Sequence, residues 1–357
     1  MQGITTSVDP VRLDAFLGQA VHDMGAAMSA PLVVLGDRLG FYRALVAGGP
    51  ATAEELADAT HTAPRLVREW LNAEAAAGHV DYDTGKGRYG LNPEQAYCFA
   101  DENSPAFLPG FYQYCLAAGR ALERLEAAFR SDGALPWAEH DPELFTGADR
   151  FLRPAWTAYL TSKWIPALDG VEERLEEGGR VAEVGCGHGA ATLLLARAYP
   201  EAQCDGFDAH APSVDVARQR ARAAGLEDRA RFATATAQEF PGVGYDLVAC
   251  FDHFHDLGDP LGAARHVHEA LAEDGTWLLV EPMAGESVSA NLNPVGRLYY
   301  AASTLVCTPN GLAQPPGRAL GAQASDAEIR AIVVAAGFRR FRRVTETAFH
   351  RIFEIRP

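Results

Sequence analysis

An α/β fold with a mostly parallel sheet, preceded by a mainly helical unit, is what this sequence predicts. Arg180 to Thr192 reads as a buried strand, a glycine turn and the start of a helix. From there to about Val280, short apolar strands alternate with helical stretches, and the chain then closes on two adjoining strands. The residues before Leu91 lack this alternation and read instead as helices followed by a hairpin.

Taken in order, Leu13 to Ala47 reads as two helices around Pro31, with Leu32, Val33, Leu35, Leu39, Tyr42 and Leu45 recurring at helical spacing. Thr52-Ala-Glu-Glu55 has the form of a capping box and opens a short helix to Ala59. Thr62 caps the next helix, which carries Leu66, Val67, Trp70 and Leu71 and ends at Gly78. Val80 to Leu91 alternates on either side of a glycine turn, as a hairpin does, and completes a winged-helix layout. The helix that would enter a DNA groove sets Arg65 and Arg68 against Glu69 and Glu74. The hairpin tip sets Lys86 and Arg88 against Asp81 and Asp83. No basic stripe results, so nucleic acid is not the expected partner.

Phe107 to Phe129 is a helical lead-in whose aromatic residues are expected in a core. Pro136 to Phe145 is a polar and aromatic loop, in which Trp137, Glu139, His140 and Phe145 are candidates to line a chamber. Phe151 to Leu175 supplies helices up to the glycine turn.

Within the sheet, Val181, Ala182 and Val184 form the first strand, and Gly185, Gly187 and Gly189 let the backbone turn tightly and approach a ligand. A helix over Ala190 to Ala198 then presents its N-terminus above the strand. The second strand ends in Asp208, where a carboxylate meets ribose hydroxyls. Gly185-x-Gly187-x-x-Ala190 also satisfies the looser dinucleotide fingerprint, so the turn alone leaves the ligand open. Glu183 discriminates: a carboxylate inside a strand buried on both faces suits a ligand carrying an ammonium group. Later strands are expected over Ala230 to Ala235, Tyr245 to Cys250 and Thr276 to Val280, with Phe251, Asp252 and Glu281 at carboxyl ends. A helix from Ser325 to Ala336 leads into closing strands, about Phe341 to Glu346 and Ala348 to Ile355.

At 357 residues, with 48% hydrophobic and 22% charged content, the chain fits an ordinary globular protein of two domains. Its net charge of −16 argues against an anionic partner such as nucleic acid or a membrane surface. Met1 to Phe16 lacks the basic-then-apolar layout of a signal peptide, and no apolar run reaches membrane-spanning length. The cysteines at 98, 115, 186, 204, 250 and 307 show no C-x-x-C pair or metal spacing. A cytoplasmic protein with reduced thiols and no bound metal is expected.

An acid, one residue and G-x-G-x-G, as in Glu183-Val-Gly-Cys-Gly-His-Gly189, resembles the first motif of the class I S-adenosylmethionine-dependent methyltransferases. The resemblance covers the second half in motif order and the first half in layout. It implies a Rossmann-like sheet with an antiparallel closing hairpin, and S-adenosylmethionine as cofactor. It further implies that Glu183, Gly185, Cys186 and Gly187 cradle its methionine part, and that Asp208 and Ala209 hold its ribose. Ala237, Gln238 and Phe251 would also contact the cofactor, Gln238 at the adenine edge, although Thr236, Ala237 and Gln238 occupy a turn that often carries an aspartate in this family.

The same resemblance implies that residues 1–104 form a winged-helix-like dimerisation domain and residues 105–357 the catalytic domain, with 105–176 as lead-in. His255-Asp256 stands where the family's small-molecule O-methyltransferases place a histidine followed by aspartate, with Leu257 in place of the usual tryptophan two residues on. His255 is thus the expected base, the alternatives being a cap on the following helix or a stack on substrate, and Glu281 is expected to orient it or to bind substrate. Trp137, His140, Tyr299 and Tyr300 are expected to contact a small-molecule acceptor. The expected activity is methyl transfer in natural-product biosynthesis, O-methylation ahead of C- or N-methylation, by a homodimer. The alternatives are a nicotinamide-dependent oxidoreductase, disfavoured by Glu183 and the closing hairpin, and a ligand-sensing regulator built on the same fold.

Overall fold

The structure, a computed structural model, describes residues 8–357. The part of the signal-peptide reading that falls on Met1 to Ser7 lies outside the described residues. The chain divides into two compact units, one ending at Leu116 and the other starting at Ala117.

In the first unit, α1 (Pro10–Arg38) is followed by α2 (Phe41–Gly48), α3 (Ala53–Thr60), α4 (Pro64–Ala76), the short hairpin β1 (Asp81–Asp83) and β2 (Arg88–Gly90), and α5 (Pro93–Phe99). Pro31 does not divide the first helix; α1 runs through it. A proline already holds a helical φ and forfeits only local hydrogen bonding, and the break falls instead at Gly40, whose φ of 74° only glycine adopts readily. The capping box of α3 forms as expected, with Glu55 N donating to Thr52 Oγ1 at 3.2 Å and Thr52 N to Glu55 Oε2 at 2.9 Å. The N-cap of α4 is Ala63 rather than Thr62, because Pro64 takes the first helical position. Trp70 meets Phe41 and Tyr42 edge-on at the centre of this unit, and a Cβ on Gly36 would stand 2.3 Å from its ring.

The helix α6 (Pro109–Gly119) contains the division, and α7 (Leu122–Phe129), α8 (Pro142–Tyr159) and α9 (Val171–Glu176) lead to the sheet. There β3 (Arg180–Val184), α10 (Ala190–Ala198), β4 (Gln203–Asp208), α11 (Ala211–Ala224), β5 (Ala230–Thr234), β6 (Tyr245–Phe251), α12 (Pro260–Ala270) and β7 (Leu271–Pro282) alternate as expected. After α13 (Pro294–Ala302), α14 (Thr308–Leu312) and α15 (Asp326–Ala335), the chain closes with β8 (Arg340–Glu346) and β9 (His350–Arg356). The seven-stranded order is β5-β4-β3-β6-β7-β9-β8, parallel from β5 to β7 and antiparallel at β9 and β8. Leu195 and Val214 bury one face, while Ala264, Val267, Ile329 and Val333 bury the other. Each large side chain so buried contributes about 1.5–3 kcal/mol. The strand order reverses between β3 and β6, which opens a crevice at their carboxyl ends.

Candidate active site

At that crevice the glycine turn is built by its own backbone. Gly185, Gly187 and Gly189 hold φ values of 77°, 50° and 77°, which carry the chain from β3 into α10. The N–H groups of Gly185 and Cys186 donate to Phe207 O at 2.8 and 3.0 Å, and Gly187 N donates to Asp208 Oδ2 at 2.8 Å. A Cβ on Gly185 would lie 2.3 Å from His253 Cγ, so only glycine admits the chain there.

Above the turn lies a cavity of about 700 Å³. Of the residues expected to bind cofactor, Gly185, Cys186, Gly187 and Phe251 line it beside the turn. Asp208, Ala209, Ala237 and Gln238 line its other flank, where Asp208 Oδ1 accepts from His210 N at 2.8 Å and Gln238 Nε2 donates to Asp259 O at 3.2 Å.

Glu183 does not line the cavity. It is 1% exposed, and its Oε2 accepts from Thr192 N at 2.6 Å and from the Thr192 hydroxyl. Burial drives its pKa up to about 8, against the pull of the Thr192 hydrogen bonds, so at neutral pH the group is mostly a neutral acid fastening α10 to β3. The strand buries its carboxyl on the α10 side of the sheet, which the motif alone does not reveal.

At the far end, Glu281, His255 and Asp256 form a buried array. His255 Nδ1 lies 2.8 Å from Glu281 Oε2, its Nε2 lies 3.2 Å from Asp256 Oδ1, and Phe254 N donates to Glu281 Oε1 at 3.0 Å. Burial disfavours the imidazolium, but the carboxylates of Asp256 and Glu281 outweigh it and hold His255 well above its ordinary pKa. Asp256 moves the opposite way: burial would raise its pKa, but His255 brings it below the usual carboxylate value. Neither His255 nor Glu281 lines the cavity; Asp256 does. The ring of His255 thus stands between two carboxylates, of which Asp256 meets the cavity. Ligand atoms of His255, Asp256 and Cys307 lie within 4.8 Å of one another.

Trp137, Phe145 and Trp156 form an apolar wall, faced by Asn310 and Gln314. Asn310 accepts from Trp137 N at 3.1 Å and donates to Asp256 O at 3.3 Å, so it joins the aromatic wall to the array. His140, Tyr299 and Tyr300 are absent from the lining. His140 is 4% exposed, with its pKa lowered by burial and by Arg124. Tyr299 turns its hydroxyl to Phe349 O at 2.8 Å, and Tyr300 sits beside it on α13. Helical phase places both tyrosines, and phase relative to a cavity is not legible before the helix is docked. Asp149, His188, Asp252, His253, Asn310 and Gln314 also line the cavity. Asp252, at a strand end, was the one of these that its position marked in advance.

The methyltransferase-domain family model matches residues 182–277, and the Rv2258c-like winged HTH domain matches residues 27–100. An uncharacterized methyltransferase of Bacillus subtilis is 35% identical over 109 residues, which are 30% of this chain and 42% of that protein. The chain thus spans less than half of that relative. Among solved structures, the mitomycin 7-O-methyltransferase MmcR superposes with a TM-score of 0.69 at 20% identity, over 97% of this chain and 100% of that one. Human N-acetylserotonin methyltransferase, solved with S-adenosylmethionine, superposes with a TM-score of 0.69 at 18% identity, over 99% of each chain. The glycine turn and the strand order thus stand with a methyltransferase domain over residues 182–277 and a winged HTH domain over residues 27–100, in the fold that these solved methyltransferases share.

Proposed function

We propose that the protein transfers the methyl group of S-adenosylmethionine to a hydroxyl of a small-molecule acceptor in natural-product biosynthesis. The observation that carries this reading is the single cavity that joins the glycine turn and Asp208 at one end to Asp256, backed by His255 and Glu281, at the other. The donor supplies the reactive methyl; the protein aligns it, excludes water and takes a proton. Two carboxylates flanking one imidazole can accept the hydroxyl proton at Asp256, while His255 and Glu281 stabilise the result. In this reading Trp137 packs against the acceptor, and His140 meets Trp137 edge-on from behind. The named natural-product O-methyltransferase among the structural neighbours favours a hydroxyl acceptor over carbon or nitrogen.

We assign residues 1–104 to dimerisation and 105–357 to catalysis. Leu13, Leu17, Val21, Met24 and Met28 leave an apolar stripe of α1 exposed, flanked by the exposed Phe16, which suits a second copy of this chain. Arg65, Arg68, Lys86 and Arg88 each pair with a carboxylate within the same unit, which disfavours phosphate binding there. No described helix is long and apolar enough to cross a membrane, and every cysteine is free; both suit a cytoplasmic homodimer. Incubation with labelled S-adenosylmethionine and a panel of phenolic and alcoholic acceptors tests the reading by product mass. Acceptor-dependent gain of one methyl on oxygen supports it, and hydride transfer from NADH with no methyl product refutes it.

A further inference from the structure

The burial of Glu183 leaves the ammonium group of the methyl donor without the carboxylate that the first motif would supply. The cavity wall offers others, and their partners differ. Asp149 gives both oxygens to Arg220 at 2.7 and 2.9 Å. Asp208 is engaged by the N–H groups of Gly187 and His210 at the ribose end. Asp259 accepts from Gly262 N at the start of α12, and Asp256 faces His255.

Asp252 stands apart. It follows β6 with a φ of 48°, a left-handed conformation that a non-glycine residue keeps only when its surroundings hold it. Its N–H donates to Val280 O at 2.9 Å, and its buried Oδ2 lies 3.0 Å from Nε2 of His350, itself 3% exposed. Neither of these two buried atoms makes a hydrogen bond within the described residues, so their approach is an ion-pair contact. His350 is fixed in turn, because its N–H donates to Thr347 Oγ1 at 2.9 Å and the preceding carbonyl, of Phe349, accepts from Tyr299. The remaining oxygen of Asp252, Oδ1, has no hydrogen-bond partner among the described residues, and the residue lines the cavity. Pairing of Val184 with Cys250 sets Phe251 and Asp252 alongside Gly185 and Cys186, and the close approach of Gly185 to His253 brings the two chain segments together.

We propose that Asp252, positioned by His350, binds the ammonium group of the donor's amino-acid end. The assignment rests on the methyl-donor reading above. An imidazole behind the carboxylate holds its free oxygen toward the turn, where a charge-assisted hydrogen bond forms.

Calorimetry with two nucleosides tests it. S-adenosylhomocysteine keeps the amino-acid end, whereas 5′-methylthioadenosine keeps the adenosine and thioether without it. Asp252→Asn preserves shape and tolerates the left-handed backbone. It should weaken S-adenosylhomocysteine by about 10- to 100-fold, the range for a lost hydrogen bond to a charged group, and leave 5′-methylthioadenosine within about twofold. His350→Leu should reduce the same preference in part, and His350→Gln, which keeps a donor, should restore it. Because the second nucleoside reports folding, an equal loss for both nucleosides, or for neither, overturns the assignment. A His350→Leu variant with its preference intact overturns the positioning by His350. A wild type that binds no S-adenosylhomocysteine overturns the methyl-donor reading itself, and this assignment with it.

Discussion

Replacing Glu183 with glutamine separates a ligand contact from a structural strut. Burial raises the folded-state pKa to about 8 from an ordinary 4.5, so the folded protein keeps a proton that the unfolded chain releases. That proton stabilises the fold fully below pH 4.5, and the contribution is lost as pH rises through about 8. Between pH 5 and pH 8 the loss amounts to about 3 kcal/mol at 1.36 kcal/mol per unit of linked titration. Glutamine cannot ionise, yet its carbonyl can still accept from Thr192 N and the Thr192 hydroxyl. Denaturant unfolding at several pH values should therefore show Glu183→Gln gaining on the wild type by about 3 kcal/mol from pH 5 to pH 8. Binding of S-adenosylhomocysteine should stay within about threefold, since no ligand contact is lost. A variant that folds normally but binds this ligand tenfold or more weakly would refute the reasoning, as would a stability difference that does not change with pH.

Other substitutions probe the remaining parts. Asp208→Ala removes the carboxylate at the ribose end and should weaken S-adenosylhomocysteine by about 10- to 100-fold in calorimetry. In Gly185→Ala the new methyl meets the His253 ring at 2.3 Å and the φ of 77° is strained, so the same assay should find ligand binding lost in a protein with reduced thermal stability. Asp256→Asn and His255→Ala should bind the ligand nearly as the wild type does, with turnover down by about 10² to 10⁴. Because the array holds Asp256 below the usual carboxylate pKa, the wild-type rate should not fall on the acid side until pH drops well under the imidazole range; a loss of activity centred near pH 6.5 would point to a free imidazole instead. Light scattering should report a dimer at low micromolar concentration, and Phe16→Glu with Met24→Glu should yield monomer.

Much of the fold was legible because it rests on local chemistry. The glycines at 185, 187 and 189 dictate the turn, Thr52 with Glu55 fixes a helix start, and runs such as Leu247 to Phe251 are apolar enough to be strands buried on both faces. Gly185, Cys186 and Gly187 of the turn and Asp208 and Ala209 at the end of β4 line the cavity. What escaped was side-chain direction. Glu183 alternates to the face that packs on Thr192, His255 is enclosed one residue away from the cavity-lining Asp256, and Tyr299 points along its helix to Phe349. Asn310 and Gln314 reach the wall across a separation of more than fifty residues from Asp256, and nothing local marks such a contact. Pro31 misled because proline is costly inside a helix without forbidding one.

Everything above turns on the cavity over Gly185 to Gly189 receiving a methyl donor. Titrating the wild-type protein with S-adenosylhomocysteine and, separately, with NADH in a calorimeter tests it most directly. Saturable binding of S-adenosylhomocysteine with one site per chain, and no heat from NADH, is the expected result. Saturable NADH binding with S-adenosylhomocysteine silent would contradict it.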